Sequence, residues 1–194
     1  MIAREFQRKA IHIATAILPV AWAFGWLTGT QVRMLVAAAV VVALVVEFAR
    51  YRSATFGARF EARFGALLRA HERTTLSGAT WLAIGMWGAV MLAPPGAAIA
   101  ALWAAAVGDA AAGLVGRTMQ HLRGAPAGSK SIVGSLALTI ATAGGVLWLT
   151  PASRGVAIAL GAVAAIAERP SRPGDDNVRV VLVVAGAAAL LGLR

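Results

Sequence analysis

The chain alternates long apolar runs with short polar connections that are mostly basic. Seven runs are apolar enough to predict membrane-spanning helices, although several are shorter than the ~20 residues of an average span. They cover residues 10–27, 34–48, 76–93, 96–116, 131–150, 154–167 and 178–193. This pattern predicts an all-α polytopic membrane bundle of about seven transmembrane helices, formed as a single domain over residues 1–194.

The connection between the second and third runs has a helical pattern of its own over residues 55–70. Its apolar face carries Phe56, Phe60, Phe64 and Leu67, and the arginines Arg59, Arg63 and Arg69 lie off that face. Basic amphipathic helices of this kind lie in the plane of a membrane surface. We therefore predict one interfacial helix on the cytoplasmic leaflet, with a solvated connector as the alternative.

Composition supports the membrane class. Hydrophobic residues make up 59% of the chain and charged residues 13%, whereas a soluble domain is about 45–50% apolar and roughly a quarter charged. The chain has no cysteine, which excludes disulfides, thiolate catalysis and cysteine-ligated metal sites.

The net charge is +10, from 18 Lys and Arg against 8 Asp and Glu. On a soluble fold this balance indicates nucleic-acid binding, but here the basic residues lie between apolar runs and predict topology. Most fall in the N-terminal segment and in alternate connections, whereas the opposite side holds only Arg33, Arg154 and Arg194. We therefore predict a multi-pass protein of the cell (inner) membrane with a cytoplasmic N-terminus, and membrane lipids rather than nucleic acid as partners.

Four groups of polar residues fall on the side predicted to be cytoplasmic. In the first, Glu5, Arg8, Lys9 and His12 are spaced i, i+3, i+4 and i+7 and share one helix face. A histidine in a lipid-embedded helix is costly and usually faces a cavity or a partner. A basic membrane anchor with an incidental histidine is the alternative interpretation.

The second group surrounds Asp109, about two helical turns inside the fourth predicted span. An ionised carboxylate at that depth costs several kcal/mol unless it is compensated. Ala112, Gly113 and Gly116 continue its helix face with small side chains, which leaves space for a ligand or a closely packed helix. A structural aspartate paired with an arginine is the alternative.

The third group is the loop into the fifth span, where Lys130 is one of the two lysines in the chain. A compact ammonium beside Ser131 and flexible glycines such as Gly134 suits a phosphate group. The loop does not match the Walker A pattern, and no predicted strand precedes it.

The fourth group closes the sixth span with Glu168 and opens the seventh with Asp175, Asp176 and Asn177. Oxygen ligands of this kind suit Mg²⁺, which binds a few carboxylates together with substrate phosphates. An Asp-Asp-Asn helix cap is the alternative, and it explains Asn177 but not Glu168.

Together these groups supply cations for phosphates, carboxylates for a metal and an intramembrane aspartate at one leaflet. Phosphoryl or nucleotidyl transfer depends on such positioning and charge neutralisation, and in a membrane the acceptor would be a lipid. A small membrane transporter is a further alternative. It is disfavoured because the sequence shows no inverted repeat and its polar groups do not lie at the midplane.

The same motifs resemble those of the CTP-dependent lipid-alcohol kinases, which include dolichol kinase, yeast-type diacylglycerol kinase and, with the greatest similarity, phytol kinase. The resemblance runs in order over nearly the whole chain. The opening helix matches as Glu5-x-x-Arg8-Lys9-x-x-His12, and the nucleotide-binding motif as Asp109-x-x-Ala112-x-x-x-Gly116. The later motifs match as Lys130-Ser131-x-x-Gly134-Ser135 and as Glu168 followed by Asp175-Asp176-Asn177.

The resemblance implies a kinase that uses CTP and Mg²⁺ and phosphorylates a phytol-, prenol-, dolichol- or diacylglycerol-type alcohol at the cytoplasmic leaflet. The implied catalytic residues are Asp109, Lys130 and His12, with Asp109 either a general base or a further metal ligand. The implied nucleotide-binding residues are Arg8, Lys9, Ala112, Gly113, Gly116, Lys130, Ser131 and Gly134. The implied metal ligands are Glu168, Asp175, Asp176 and Asn177. So small a bundle could also form a homodimer.

Two positions depart from the family pattern. Gln120 stands where many relatives have a further glycine after Gly116, and Val133 replaces a glutamate that often precedes the glycine of the second loop. The second departure favours a kinase over phosphatidate cytidylyltransferase, a distantly similar enzyme that also uses CTP. That cytidylyltransferase is the principal alternative function.

Overall fold

The computed structural model describes residues 2–123, 131–169 and 176–194, and the regular structure within these ranges is helical. The α-helices are α1 Ile2–Ala14, α2 Ile17–Ala23, α3 Gly29–Arg52, α4 Ala54–Phe64, α5 Gly78–Leu92, α6 Pro95–Trp103, α7 Asp109–Arg123, α8 Ile132–Leu149, α9 Arg154–Glu168 and α10 Asp176–Leu190. A π-helical segment, Ala104–Gly108, joins α6 to α7, and short 3-10 turns lie at Gly65–Leu67 and His71–Arg73. The predicted all-α class is confirmed for these residues.

Serines mark the start of several helices. Ser53, Ser77, Ser131 and Ser153 precede α4, α5, α8 and α9, and each side chain accepts a hydrogen bond from the backbone N–H three residues further on. Such caps satisfy an N–H group that the start of a helix leaves without an intrahelical partner. The runs 131–150 and 154–167 therefore agree closely with the observed bounds of α8 and α9.

The predicted first span, 10–27, is interrupted in the structure. α1 ends at Ala14, and a turn follows in which the Thr15 hydroxyl donates to the His12 carbonyl at 2.7 Å. Pro19 explains the break, because proline has no N–H and its ring clashes with the carbonyl four residues earlier in a helix. The polar segment α1 is thereby separated from the apolar α2.

The continuous helix made of α6, the π segment and α7 runs through the centre of the bundle, against α8 and α10. In the most apolar 18-residue stretch of Pro95–Met119, 61% of the residues are buried inside the protein. The corresponding share for Gly29–Arg52 is 17%. Small side chains such as Ala97, Ala101 and Ala104 are fully buried there. The core therefore surrounds α6, and α3 lies at the periphery, where it packs on α5.

Three described helices are long and apolar enough to cross a membrane, namely Gly29–Arg52, Pro95–Met119 and Ile132–Leu149. Helices α9 and α10 have 15 residues each, short of the ~17–25 of a typical span. On α3, Val42 and Phe48 are 62% and 66% exposed. Exposed apolar surface of this extent marks a contact with a membrane or another protein. These features indicate a membrane protein, with three candidate spans within the described ranges against the seven predicted.

The predicted amphipathic helix is present as α4, but it is shorter than the 55–70 pattern. It ends at Phe64, so Arg69 lies beyond the helix. The ring centroids of Phe56 and Phe60 are 6.4 Å apart, and those of Phe60 and Phe64 are 5.2 Å apart, so the aromatic face forms as predicted. No residue of α4 is buried within the protein. Phe56 and Phe64 are 39% and 42% exposed, whereas the Phe60 ring lies 5.5 Å from the Arg50 guanidinium carbon. The position of this helix at a membrane surface stays a prediction.

Candidate functional site

The site is built around an ion pair between α1 and α7. Lys9 Nζ forms a short salt bridge with Asp109 Oδ2, and His12 Nδ1 lies 3.3 Å from the same oxygen. The side chains of Lys9, His12 and Asp109 are only 8%, 10% and 16% exposed. Lys9 and His12 are three residues apart, so one face of α1 presents both of them to the carboxylate. The ammonium compensates a carboxylate charge whose burial would otherwise be costly.

Arg8, the neighbour of Lys9, pairs with a different carboxylate. Its Nη2 lies 3.3 Å from Glu72 Oε1, and Glu72 is 1% exposed. The second carboxylate oxygen of Glu72 accepts a hydrogen bond from the backbone N–H of Arg69 at 3.0 Å. Glu72 therefore joins α1 to the connection between α4 and α5 inside the protein.

A second buried ion pair holds this connection from α3. Glu47 Oε2 and Arg50 Nη2 are 2.5 Å apart, and Arg50 Nη1 donates to the Glu72 carbonyl at 2.9 Å. The other oxygen of Glu47 accepts from the Ser77 N–H at 2.8 Å and from the Thr80 hydroxyl at 3.0 Å. The backbone on both sides of residue 75 is thus fixed by one Glu–Arg pair.

Sequence reasoning missed Glu47, Arg50 and Glu72. Two signals were present: Glu47 is an acidic residue within a long apolar run, and Glu72 lies within a strongly basic connection. Each is costly in its surroundings unless it has a partner. The identity of that partner depends on tertiary structure.

The start of α10 completes the site. Asp176 Oδ2 lies 3.7 Å from Arg69 Nη1, and Asn177 Nδ2 donates to the Gly78 carbonyl at 2.8 Å. Asn177 lies inside α10, one residue after its start, and so does not occupy the N-cap position. It ties α10 to the first residue of α5 instead.

These elements border a narrow cleft that is lined only by polar or charged side chains and is too tight to hold a water molecule in this structure. The lining residues are Arg8, Lys9, His12, Arg69, Asp109 and Asn177. They come from α1, α7, α10 and the connection before α5, so segments far apart in sequence meet at one place. The sequence predicted five of these six as site residues, and Arg69 is the addition.

The π segment Ala104–Gly108 lies immediately before Asp109. A π turn is wider than an α turn, and such turns occur often at functional sites. Gly108 makes the close contact with α8, since an added Cβ would meet Leu138 Cγ at 3.6 Å and also overlap the Thr142 hydroxyl. The packed π turn therefore fixes the helix from which the Asp109 side chain projects.

The small residues after Asp109 pack α7 against α8. A Cβ added at Gly116 would lie 3.0 Å from Ser131 Oγ, and one added at Gly134 would lie 2.9 Å from the Ala112 carbonyl oxygen. Ser131 Oγ in turn accepts from the Gly134 N–H at 2.9 Å and caps α8. The predicted close packing is confirmed, and nucleotide binding by these residues stays a prediction.

The remaining predicted site residues include some that the structure does not describe and one that lies away from the cleft lining. Lys130 and Asp175 lie outside the described residues, and Glu168 ends α9 in a half-buried position. Within the described ranges, no three His, Cys, Asp or Glu side chains lie close enough together to hold a metal ion. The described carboxylates therefore do not form a complete Mg²⁺ site, and Asp176 already faces Arg69.

Comparison of the chain with family models, curated proteins and solved structures finds no match. Its function must therefore be inferred from the chemistry of the cleft. Three cations, a carboxylate, an imidazole and an amide converge there. This set can hold an anionic group and accept a proton beside it.

Proposed function

We propose that this protein is a membrane lipid kinase that transfers the γ-phosphate of CTP to the hydroxyl of a phytol-, prenol-, dolichol- or diacylglycerol-type alcohol. The observation that carries the proposal is the cleft in which Lys9, His12 and Asp109 face Arg8 and Arg69 at one end of an apolar bundle. Phosphoryl transfer relies on positioning and charge stabilisation of this kind. The resemblance of the motifs to CTP-dependent lipid-alcohol kinases supports the choice of donor and acceptor.

Asp109 is the proposed general base. Its contacts with Lys9 and His12 both use Oδ2, so we assign Oδ1 to the acceptor hydroxyl. As the hydroxyl oxygen bonds to the γ-phosphorus, the bond from that phosphorus to its bridging oxygen breaks and CDP leaves. The hydroxyl proton passes to Asp109, while Lys9 and His12 hold the carboxylate in position.

The donor phosphates are proposed to lie against the cations of α1 and of the loop before α8. Arg8 lines the cleft, and Lys130 would reach the phosphates from the loop. Mg²⁺, when bound with the nucleotide, would neutralise charge on the transferred group. Its proposed ligands on this chain are Asp175 and Asp176, with Glu168 at the end of α9.

A panel of acceptors tests the proposal. The protein purified in an uncharged detergent is given CTP and Mg²⁺ with phytol, farnesol-type prenols, diacylglycerol or phosphatidate in separate reactions. We expect a monophosphate of at least one of the alcohols and no product from phosphatidate. A product from phosphatidate alone would favour the cytidylyltransferase, and the absence of any product would contradict enzymatic transfer to lipids.

Gly113 offers a test of the role of Lys9. A Cβ added at Gly113 would overlap Lys9 Cε, whereas one added at Gly144 in α8 meets nothing within 4 Å. Gly113→Ala should therefore displace Lys9 from Asp109 and lower kcat about 10- to 100-fold, the scale of small misplacements in an active site. Gly144→Ala should leave kcat unchanged. Equal rates for the two variants would show that the Lys9–Asp109 contact does not matter for transfer.

The proposed topology is seven crossings in the cell (inner) membrane, with the N-terminus and the cleft on the cytoplasmic side. The unequal distribution of Lys and Arg supports this orientation. The open aromatic face of α4 also supports it, because a helix of this kind would lie on the leaflet beside the cleft.

Single cysteines test this topology, since the chain has none of its own. Gly124→Cys and Gly174→Cys should react with a membrane-impermeant maleimide only when the cytoplasmic face is accessible. The same reagent should label Thr30→Cys, an exposed position in the first turn of α3, from the opposite side. Labelling of residue 124 or 174 from the outer side would contradict a shared cytoplasmic site.

A further inference from the structure

Arg69 lies in the connection between α4 and α5, within the amphipathic pattern of residues 55–70 but outside the four polar groups that predicted the site. Its backbone N–H donates to Glu72 Oε2 at 3.0 Å, and its guanidinium lines the cleft. The bond to Glu72 uses only the backbone of Arg69. The side chain is therefore not needed for that buried contact, and its guanidinium pairs with Asp176 instead.

The three cations of the cleft differ in how tightly they are paired. Arg8 lies 3.3 Å from Glu72, with side-chain exposures of 15% and 2%, and Lys9 contacts Asp109 with both side chains nearly buried. Arg69 is 3.7 Å from Asp176, and these side chains are 35% and 21% exposed. Arg69 thus has the longest and most exposed ion pair of the three. It is therefore the cation whose carboxylate partner an entering anion could replace at the smallest cost in free energy.

We propose that Arg69 is a phosphate-binding residue, and that it exchanges Asp176 for the phosphate chain of the soluble donor when that chain enters the cleft. A guanidinium presents several N–H donors in a planar fork, which matches the oxygens of a phosphate group. The neighbouring cations Arg8 and Lys9 favour an anion at the same place. The identity of the anion as a nucleotide polyphosphate rests on the proposed function, whereas anion binding itself does not require transfer.

Arg73 supplies a matched control. It lies four residues further along the same connection, its side chain is 58% exposed, and it pairs with Glu61 at 2.9 Å outside the cleft. Arg69→Gln and Arg73→Gln change the net charge equally. A difference between them therefore reports the position of the cation in the cleft and excludes a general effect of charge.

The first measurement is the affinity of the purified protein for inorganic tripolyphosphate in uncharged detergent with EDTA, by isothermal titration. Arg69→Gln should weaken binding at least about 10-fold, the scale of hydrogen bonds to a charged group, and Arg73→Gln by less than about 2-fold. Asp176→Asn should strengthen binding about 2- to 10-fold, because it removes the carboxylate that competes for Arg69. Thermal unfolding of each variant without ligand checks that the fold is retained.

Equal losses in the two arginine variants, or weaker binding in Asp176→Asn, would overturn the proposal. A second arm repeats the titration with phosphatidate in the micelles. If binding of phosphatidate depends on Arg69 and binding of tripolyphosphate does not, Arg69 binds a lipid headgroup. That result would also overturn the proposal that Arg69 binds the soluble donor. Arg69-dependent tripolyphosphate binding without phosphorylation of any alcohol would uphold Arg69 and reject the kinase. Phosphorylation of an alcohol with an unchanged KM for CTP in Arg69→Gln would uphold the kinase and reject the role of Arg69 in phosphate binding.

Discussion

Replacing Asp109 by asparagine is expected to lower transfer of phosphate from CTP to a lipid alcohol by at least about 100-fold, the scale of a lost general base. Asparagine keeps the size of the side chain but cannot accept the hydroxyl proton. The loss should appear in kcat, because the cations assigned to the donor are retained. Steady-state kinetics with the best acceptor of the panel measure the effect.

The same substitution removes the partner of Lys9, whose side chain is 8% exposed. Breaking a buried ion pair costs about 3–5 kcal/mol, so a loss of activity could reflect a loss of folding. The double variant Lys9→Met with Asp109→Asn removes both charges and should unfold closer to the wild type, yet stay inactive. Glu61→Gln, which removes a carboxylate 41% exposed outside the cleft, should keep full activity. Activity within about 10-fold of wild type in either Asp109 variant would contradict the base assignment.

Glu72→Gln is expected to destabilise the protein by about 3 kcal/mol, because it leaves the Arg8 guanidinium without its charged partner in a nearly buried position. It should also raise the KM for CTP if Arg8 binds the donor as proposed, because the buried Glu72 holds the Arg8 guanidinium in place. Unfolding in denaturant measures the first effect, and steady-state kinetics the second.

A double variant separates the two effects. Arg8→Gln with Glu72→Gln removes both charges, retains an acceptor for the Arg69 N–H and should regain most of the lost stability. It should not regain the affinity for CTP, because the cation itself is gone. Recovery of both properties in the double variant would show that Arg8 and Glu72 form a purely structural pair.

The helices could be predicted from the sequence wherever local signals agree. Ser131 and Ser153 cap α8 and α9 where apolar runs begin, so pattern and capping gave the same boundaries. The break before α2 leaves little trace in the hydropathy pattern, because the run 10–27 is mostly apolar on both sides of it; Pro19 is the local signal of the break. α4 was predicted too long because its pattern of phenylalanine and arginine continues past the turn at Gly65–Leu67.

The sequence predicted most of the residues that line the cleft, but it did not predict the contacts between them. His12 and Asp109 stand out as titratable residues in apolar runs, where each is costly without a partner, and Lys9 shares a helix face with His12. The contact between Lys9 and Asp109 joins residues 100 positions apart, and no local pattern specifies it. The 55–70 pattern placed Arg69 on a helix surface. Its position in the cleft depends instead on how the connection before α5 packs, which no local pattern specifies.

The location of the transferred label tests the account most directly. CTP labelled at the γ-phosphate and CTP labelled at the α-phosphate are each incubated with the purified protein, Mg²⁺ and the four candidate acceptors. A kinase moves the γ-label to a lipid alcohol and releases CDP, which is the predicted result. Transfer of the α-label into phosphatidate with release of pyrophosphate would contradict it and identify a cytidylyltransferase.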